Sequence, residues 1–231
     1  MQDVSEIELE INYGAWLPLD LNAPILDLGC GGGRLLRFLS AKGYVELHGV
    51  DRDPNCVAAI DPLINAKVEI AEVNADYLRR YRGQFKLIIC KQMIYYIDRR
   101  EIIAFMAELK EALCDDGVVI IEFFNGSLLS SRFTELKDPF IRTAYTEHSM
   151  RRIFNSVGLS ELFIGGQRNQ SRNSLRGVLY TALRGGWTAL LNAIFILERG
   201  RDDELPRFYT KSIIAVASKR PRQESNEGFC I

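Results

Sequence analysis

Glycine occupies four of the five positions from 29 to 33, just after Asp27 and Leu28 in the stretch ILDLGCGGGRLL. Glycine inside a helix or strand lowers stability, and a cluster this dense therefore requires a structural reason. Two reasons are common: a flexible linker, or a tight turn at which a ligand comes close to the bare backbone. The elements on either side of the cluster decide between these interpretations.

Other residues capable of chemistry follow apolar runs further along the chain. Asp51 closes LHGVD, Asp76 stands in NADY, and Glu122 stands in VVIIEFFN. Carboxylates accept hydrogen bonds from hydroxyl and amino groups and can take up a proton. Tyr96 in MIYYI and His148 in TEHSM add two more side chains that can exchange a proton. These five residues are candidates for ligand binding or acid–base chemistry.

Apolar strands alternate with helices along most of the chain. The pattern predicts seven strands, of which the fourth runs on into a loop. They lie at 24–29, 45–51, 67–76, 85–97, 118–125, 159–166 and 210–219. It predicts helices at 33–42, 54–64, 100–117 and 146–158. Nearly continuous apolar strands separated by helices are typical of a parallel sheet covered on both faces. We therefore expect an α/β fold with a Rossmann-like, doubly wound sheet.

The glycine cluster lies between a predicted strand and a predicted helix, which excludes the linker interpretation. It is a turn at the carboxyl edge of a parallel sheet, where open α/β folds bind ligands. A phosphate loop of the GxxxxGK[ST] type is not present. A dinucleotide site of the GxGxxG type fits Gly29 and Gly31 but has Arg34 at its third glycine, so this alternative is weakened and stays open.

The stretch resembles the first motif of class I S-adenosylmethionine-dependent methyltransferases, an acidic residue followed by GxGxG. Asp27, Gly29, Gly31 and Gly33 match that motif. The resemblance implies that S-adenosylmethionine lies against the turn, with Asp27 near its positive charges, whereas a carboxylate at that place would repel a pyrophosphate. It also implies seven strands, of which the last is antiparallel.

The resemblance covers further positions in order along the chain. Asp51, 24 residues after Asp27, matches the acid that binds both ribose hydroxyls, and Asp76 matches the residue near the adenine amino group. In the fourth-strand motif Lys86 replaces the usual aspartate. The cofactor-binding residues that the resemblance implies are Asp27, Gly29, Cys30, Gly31, Asp51, Arg52, Ala75, Asp76, Tyr77, Cys90 and Gln92.

A narrower resemblance concerns methyltransferases encoded with bacterial surface-polysaccharide enzymes. The opening YGAWLPLDLN, the segment DPFIRTAYTEHSM and the late SIIAVASK carry it. Members often have D-x-T-H-E before the helix, where this chain has Phe140, Ile141 and Arg142. The resemblance implies O-methylation of a sugar hydroxyl in a surface glycan or its precursor, with Glu122, Tyr96 and His148 as ranked proton acceptors. Methylation of another small molecule, such as a secondary metabolite, and a non-catalytic regulatory role are the alternatives.

The segment 165–205 is a predicted helical insertion before the last strand. From 165 to 201 it holds six arginines and one acid, and its apolar helical pattern is interrupted at Gly185–Gly186. One interpretation is a packed helical pair with solvated arginines. Another is a lid in which Arg172 and Arg176 bind a phosphate-bearing acceptor. A third is peripheral membrane contact through 175–197.

The whole chain balances 29 basic against 30 acidic residues, which gives no indication of a nucleic-acid partner. Five scattered cysteines indicate reduced thiols, and no group of residues has metal-ligand spacing. We expect a cytoplasmic protein without a signal peptide, possessing one domain over 1–231. That domain would include an N-terminal segment at 1–23 and a flexible tail at 220–231. The oligomeric state stays open.

Overall fold

The computed structural model describes residues 4–168, 175–200 and 205–221. Its centre is a seven-stranded sheet in the order β3-β2-β1-β4-β5-β7-β6. The strands are β1 (Ile25–Leu28), β2 (Leu47–Asp51), β3 (Ala66–Ile70), β4 (Phe85–Lys91), β5 (Leu113–Phe124), β6 (Ser160–Gly166) and β7 (Ser212–Ser218). The predicted α/β class and strand number are confirmed.

The first five strands are parallel to one another, and β7 is antiparallel to both β5 and β6. This matches the expected antiparallel last strand. The strand order reverses direction at β1, whose neighbours are β2 and β4. The turns after β1, β2, β4 and β5 therefore meet at one edge of the sheet, the place at which doubly wound folds bind ligands.

Eight α-helices lie in the described residues. They are α1 (Val4–Tyr13), α2 (Arg34–Ala41), α3 (Pro54–Ala58), α4 (Ala75–Leu78), α5 (Ile102–Ala112), α6 (Ser131–Lys137), α7 (Glu147–Val157) and α8 (Leu175–Arg199). Short 3-10 helices cover Gly14–Trp16 and Ile94–Tyr96. No helix in this part of the chain is long and apolar enough to cross a bilayer.

Several predicted boundaries were wrong. The third strand ends at Ile70, and a short helix begins at Ala75, because the Asn74 side chain accepts a hydrogen bond from the Tyr77 amide at 2.9 Å and caps that helix. The helix predicted to reach 117 ends at Ala112, because Leu113 already pairs with Phe85 in the sheet.

The interruption predicted at Gly185–Gly186 is also wrong, since α8 continues through both glycines. Each glycine costs a helix roughly 1 kcal/mol relative to alanine. Packing on the inner face offsets this cost: Leu191 is buried, and the Phe195 and Tyr209 rings lie 6.3 Å apart. The insertion before the last strand is therefore one long helix in its described part.

Two apolar clusters cover the two faces of the sheet. On one face, Leu26 and Ile88 pack with α5 and α7. On the other face, Ile25 and Ile89 pack with α1 and α2. Both faces are thus sealed, and the carboxyl edge of the strands is where polar side chains gather.

Candidate functional site

The glycine turn follows β1 and is tied to β2 by its backbone. The amides of Gly29 and Cys30 both donate to the Val50 carbonyl, at 2.9 and 3.0 Å. Gly29 has φ +74°, and a Cβ there would lie 2.8 Å from Met93 Cγ. Gly31 has φ +50°, and the place of its missing Cβ is open space. The turn therefore requires glycine at 29 for packing and leaves bare backbone at 31 for a ligand.

Asp51 joins the end of β2 to this turn. Its Oδ2 accepts a hydrogen bond from the Gly31 amide at 2.8 Å, and its Oδ1 accepts one from the Asp53 amide at 3.0 Å. An ionised carboxylate has about four acceptor positions, so each oxygen keeps a further one. This geometry leaves Asp51 able to accept two hydroxyl groups beside the open backbone of Gly31.

Asp27 lies beneath the turn with only 2 % of its surface exposed. Burial raises the pKa of its carboxyl from 3.8 to about 7; the nearby Lys91 lowers it and Asp51 raises it. A cation placed next to a buried carboxyl with a raised pKa stabilises its ionised form. The two acids and the bare glycine thus fit a ligand that carries positive charge.

Residues 75–77 form the start of α4. Tyr77 is buried, and Ala75 is half-buried. The side chain of Asp76 is 81 % exposed and forms an ion pair with Arg79 at 2.7 Å. An adenine contact for Asp76 stays a prediction. To make that contact, the Asp76 carboxylate would either leave its ion pair with Arg79 or bind Arg79 and the adenine amino group together.

At the end of β4, Cys90 is fully buried, and burial raises the pKa of its thiol. Gln92 has φ +53° and is the only non-glycine residue with positive φ in the described part of the chain. Its amide donates to the Glu122 carbonyl at 2.8 Å, which holds this uncommon conformation in place. Strained backbone of this kind often marks a ligand site.

Glu122 is buried at the end of β5 and joins several elements. Its Oε1 accepts hydrogen bonds from Lys91 Nζ at 2.9 Å and from Gln92 Nε2 at 2.7 Å. Its Oε2 accepts a hydrogen bond from the Tyr13 hydroxyl. Gln92 Nε2 also lies 3.0 Å from Ser212 Oγ on β7. Glu122 therefore holds the end of β4 in position through three hydrogen bonds, and its role as a proton acceptor stays a prediction.

Tyr13 is a site residue that sequence reasoning missed. It ends α1 and is wholly buried against Glu122. Burial, with the Glu122 carboxylate, raises the pKa of its hydroxyl. The sequence offers no spacing or motif that pairs these two residues.

Tyr96 lies in the 3-10 helix after β4 and is half-buried. Its hydroxyl donates to Asp138 Oδ2 at 2.8 Å. The Arg52 guanidinium, at the end of β2, lies 5.8 Å from the centres of both the Tyr96 and Phe140 rings. The structure thus brings Arg52, Tyr96 and the segment before α7 together at the carboxyl edge.

The other predicted residues lie elsewhere. His148 is in the first turn of α7, with Nε2 3.1 Å from the Leu205 carbonyl oxygen, and it lines a separate cavity. Arg172 and the side chain of Arg176 fall outside the described residues. Lys86 pairs with Asp116 at the amino edge of the sheet, opposite the glycine turn. Its replacement of the motif aspartate therefore does not touch the site.

The fold and this edge define a class of protein, and comparison with known proteins agrees. A family described as a methyltransferase domain matches residues 9–162, more than half of the chain. The chain belongs to this family. The predicted class, a class I S-adenosylmethionine-dependent methyltransferase, is confirmed at the level of family and fold, and with it the cofactor. The narrower resemblance to polysaccharide enzymes stays a prediction.

Among curated proteins, the chain is similar to the mitochondrial ubiquinone biosynthesis O-methyltransferase of Schizosaccharomyces pombe. The two are 24 % identical over 172 residues, which is 71 % of this chain and 61 % of that protein. The chain spans less than two thirds of the length of the curated relatives it matches.

Solved structures share the fold at low identity. An S-adenosylmethionine-dependent methyltransferase from Archaeoglobus fulgidus superposes with a TM-score of 0.69 at 15 % identity, covering 93 % of each chain. Phosphoethanolamine N-methyltransferase 2 of Haemonchus contortus, in complex with S-adenosyl-L-methionine, superposes with a TM-score of 0.61 at 15 % identity. That match covers 93 % of this chain and 52 % of the other.

Proposed function

We propose that the chain binds S-adenosylmethionine across the glycine turn and transfers its methyl group to a hydroxyl oxygen of a small-molecule acceptor. The observation that carries this proposal is the Gly31–Asp51 pair, in which open backbone lies beside a carboxylate with acceptor positions to spare. The name of the curated relative, an O-methyltransferase, supports an oxygen acceptor.

The cofactor would supply a methyl group on a positively charged sulfur, which is a good leaving group. Asp51 would bind the two ribose hydroxyls, and Asp27 would sit beneath the turn as the nearest buried negative charge. Gln92 and Cys90, at the end of β4, would line the methionine end. In this arrangement the chain contributes chiefly by holding acceptor and methyl group at reacting distance.

A hydroxyl acceptor must also lose its proton. Glu122 is already held by Lys91 and Gln92, so protonating it would sacrifice a buried ion pair. Tyr96 is half-buried and already donates to Asp138, so its hydroxyl can pass an acceptor's proton to that carboxylate. We therefore propose Tyr96, with Asp138, as the proton relay. Glu122 instead positions the end of β4.

The acceptor we propose is a sugar hydroxyl of a bacterial surface glycan or its precursor. The segments YGAWLPLDLN and DPFIRTAYTEHSM, through their resemblance to polysaccharide methyltransferases, support it. Another small molecule is the alternative acceptor. Lys86, which replaces the motif aspartate, would favour a non-catalytic role if it lay in the site. It lies at the opposite edge of the sheet and therefore gives that alternative no support.

The test is an assay with methyl-labelled S-adenosylmethionine against three acceptor groups: free sugars, nucleotide- or lipid-linked sugars, and phenols with and without apolar tails. Calorimetry with S-adenosylmethionine, S-adenosylhomocysteine and NAD runs in parallel. We expect binding of the first two ligands and labelled product from a sugar. If only phenols become labelled, the acceptor is the alternative small molecule and the sugar proposal is wrong. Cofactor binding with no product from any group would favour the regulatory role, and NAD binding alone would overturn the proposal.

A further inference from the structure

A cavity of about 890 Å³ opens beside the first turns of α7. The start of α5, the segment between β5 and α7, the first turns of α7 and Phe195 of α8 form its walls. Apart from His148, none of the residues predicted to bind cofactor or move protons lines it. The cavity therefore belongs to a different part of the surface from the glycine turn.

Its lining is rich in positive charge. Three arginines, Arg99, Arg142 and Arg152, line it against one acid, Glu135. Glu135 is paired with Arg132 at 3.1 Å, outside the lining. Within the described residues, neither the Arg99 nor the Arg142 guanidinium makes an ion pair. Two guanidinium groups at one cavity favour an anionic ligand with planar, paired oxygens.

Two buried hydroxyl groups of residues that line the same cavity have no hydrogen-bond partner in the described structure other than each other. They belong to Tyr145, whose surface is only 3 % exposed, and to Thr143. Most buried polar groups in proteins are fully satisfied, so this pair of hydroxyl groups retains unused hydrogen-bonding capacity in the cavity wall. Phe123 packs edge-on against the Tyr145 ring, with centroids 6.1 Å apart, which fixes the direction of the phenol.

The cavity wall is joined to the proposed active site through Tyr95. The amides of Arg142 and Thr143 donate to the Tyr95 carbonyl at 2.8 and 3.3 Å. The Tyr95 hydroxyl in turn donates to Gln92 Oε1 at 3.3 Å. The cavity wall and the end of β4 are therefore held in a fixed relationship through Tyr95.

We propose that this cavity binds the phosphoryl group of a phosphorylated acceptor. Arg99 and Arg142 would pair with its oxygens, and the Tyr145 and Thr143 hydroxyls would donate to them. This inference rests on the proposed methyl transfer, and it narrows the substrate to hydroxyl compounds that carry a phosphate or diphosphate. It assigns phosphate recognition to residues for which the sequence alone indicated no such role.

The test measures binding of inorganic diphosphate, a nucleotide sugar and a short-chain prenyl diphosphate by calorimetry. The variants are Tyr145→Phe and Arg142→Gln. The control is Arg100→Gln, which changes an exposed arginine next to Arg99 that does not line the cavity. We expect each cavity variant to weaken diphosphate binding about tenfold or more, and the control to match the wild type. The two larger ligands then distinguish a sugar-linked from a lipid-linked phosphate.

A second readout separates a ligand site from a merely structural tyrosine. Because the Tyr145 hydroxyl has no partner other than the Thr143 hydroxyl, Tyr145→Phe should change the melting temperature of the ligand-free protein little, while weakening diphosphate binding. A lowered melting temperature with unchanged diphosphate affinity would overturn the proposal, as would a wild type that binds no diphosphate. Binding of S-adenosylmethionine by the same samples tests the proposed function separately, since neither variant touches the glycine turn.

Discussion

The hydroxyl of Tyr13 and the carboxylate of Glu122 form a buried hydrogen bond between residues 109 positions apart. Through it, the N-terminal helix is fastened to the end of β5 and, by way of Lys91 and Gln92, to the end of β4. The stability of α1 and the geometry of the proposed methyl-transfer site are therefore coupled.

Tyr13→Phe should destabilise the protein, because it leaves Oε2 of a buried carboxylate without its donor. Loss of a hydrogen bond to a charged group costs on the order of 1.5–3 kcal/mol in the free energy of unfolding. Urea unfolding measures this. The matched control is Tyr44→Phe, which removes a bond to the neutral Pro18 carbonyl and should cost less. Equal losses in the two variants would contradict the role given to the Glu122 charge.

Asp51→Ala should weaken S-adenosylmethionine binding by on the order of 2–3 kcal/mol, because it removes a charged acceptor for two hydroxyl groups. Calorimetry measures the change. Asp61→Asn, in an exposed surface turn, is the control and should bind as the wild type does. If Asp51→Ala binds normally, the ribose assignment is wrong.

Asp27 should make stability depend on pH. Its carboxyl has a pKa of about 7 in the folded protein against 3.8 ordinarily, so between these values the folded state holds a proton that the unfolded chain has released. The contribution of this carboxyl to the free energy of unfolding therefore falls as pH rises from about 4 to about 7. Urea unfolding across that range should show a shallower decline in Asp27→Asn than in the wild type or in Asp61→Asn.

The same group should report on the cofactor. A positively charged ligand beside Asp27 favours the ionised carboxyl, so binding near pH 6 should release a proton. Calorimetry in buffers of different ionisation enthalpy measures this release, and Asp27→Asn should abolish it. Equal proton release in the variant would show that another group titrates.

Tyr96→Phe should lower kcat with little effect on cofactor affinity, because the proposed role of this hydroxyl is to move a proton. General acid–base groups contribute roughly 10²–10⁴-fold to rate. Steady-state kinetics on whichever acceptor is labelled measures the loss, with Tyr44→Phe as the control away from the site. A variant that keeps full kcat would return the proton-acceptor role to Glu122 or His148.

Five large apolar side chains on α8 are exposed and spaced by four and three residues along one stripe, namely Leu183, Trp187, Leu190, Ile194 and Leu197. The surrounding segment is rich in arginine, which favours an anionic lipid surface. We predict that the protein sediments with vesicles of phosphatidylglycerol and phosphatidylethanolamine. Trp187→Glu should weaken this binding roughly tenfold or more.

The control for that prediction is Ala189→Glu, which adds the same charge at an exposed position off the stripe. Analytical ultracentrifugation accompanies the vesicle assay. The alternative outcome is a wild type that forms a dimer and does not bind vesicles. If Trp187→Glu then dissociates that dimer, the stripe is an interface with a second copy of the chain.

The glycine turn, the strand that precedes it and the acid that ends β2 were predictable from sequence. These features depend on neighbouring residues, since a positive φ demands glycine and a buried parallel strand demands a continuous apolar run. The short α4 was harder to predict, because one side-chain cap from Asn74 ended the extended pattern. The continuity of α8 was harder still, because distant packing at Leu191 outweighed two unfavourable glycines.

The sequence by itself determined a doubly wound α/β fold with a ligand turn at Gly29–Gly33, because local patterns encode strand, turn and helix. Its motifs carried the resemblance to methyltransferases. Only the tertiary structure decided which side chains meet. It placed Lys86 at the far edge of the sheet, enclosed Glu122 between Tyr13 and Lys91, and gathered Arg99, Arg142 and Tyr145 around one cavity. Such contacts join residues far apart in the chain, and strand order and helix packing, which no local pattern records, bring them together.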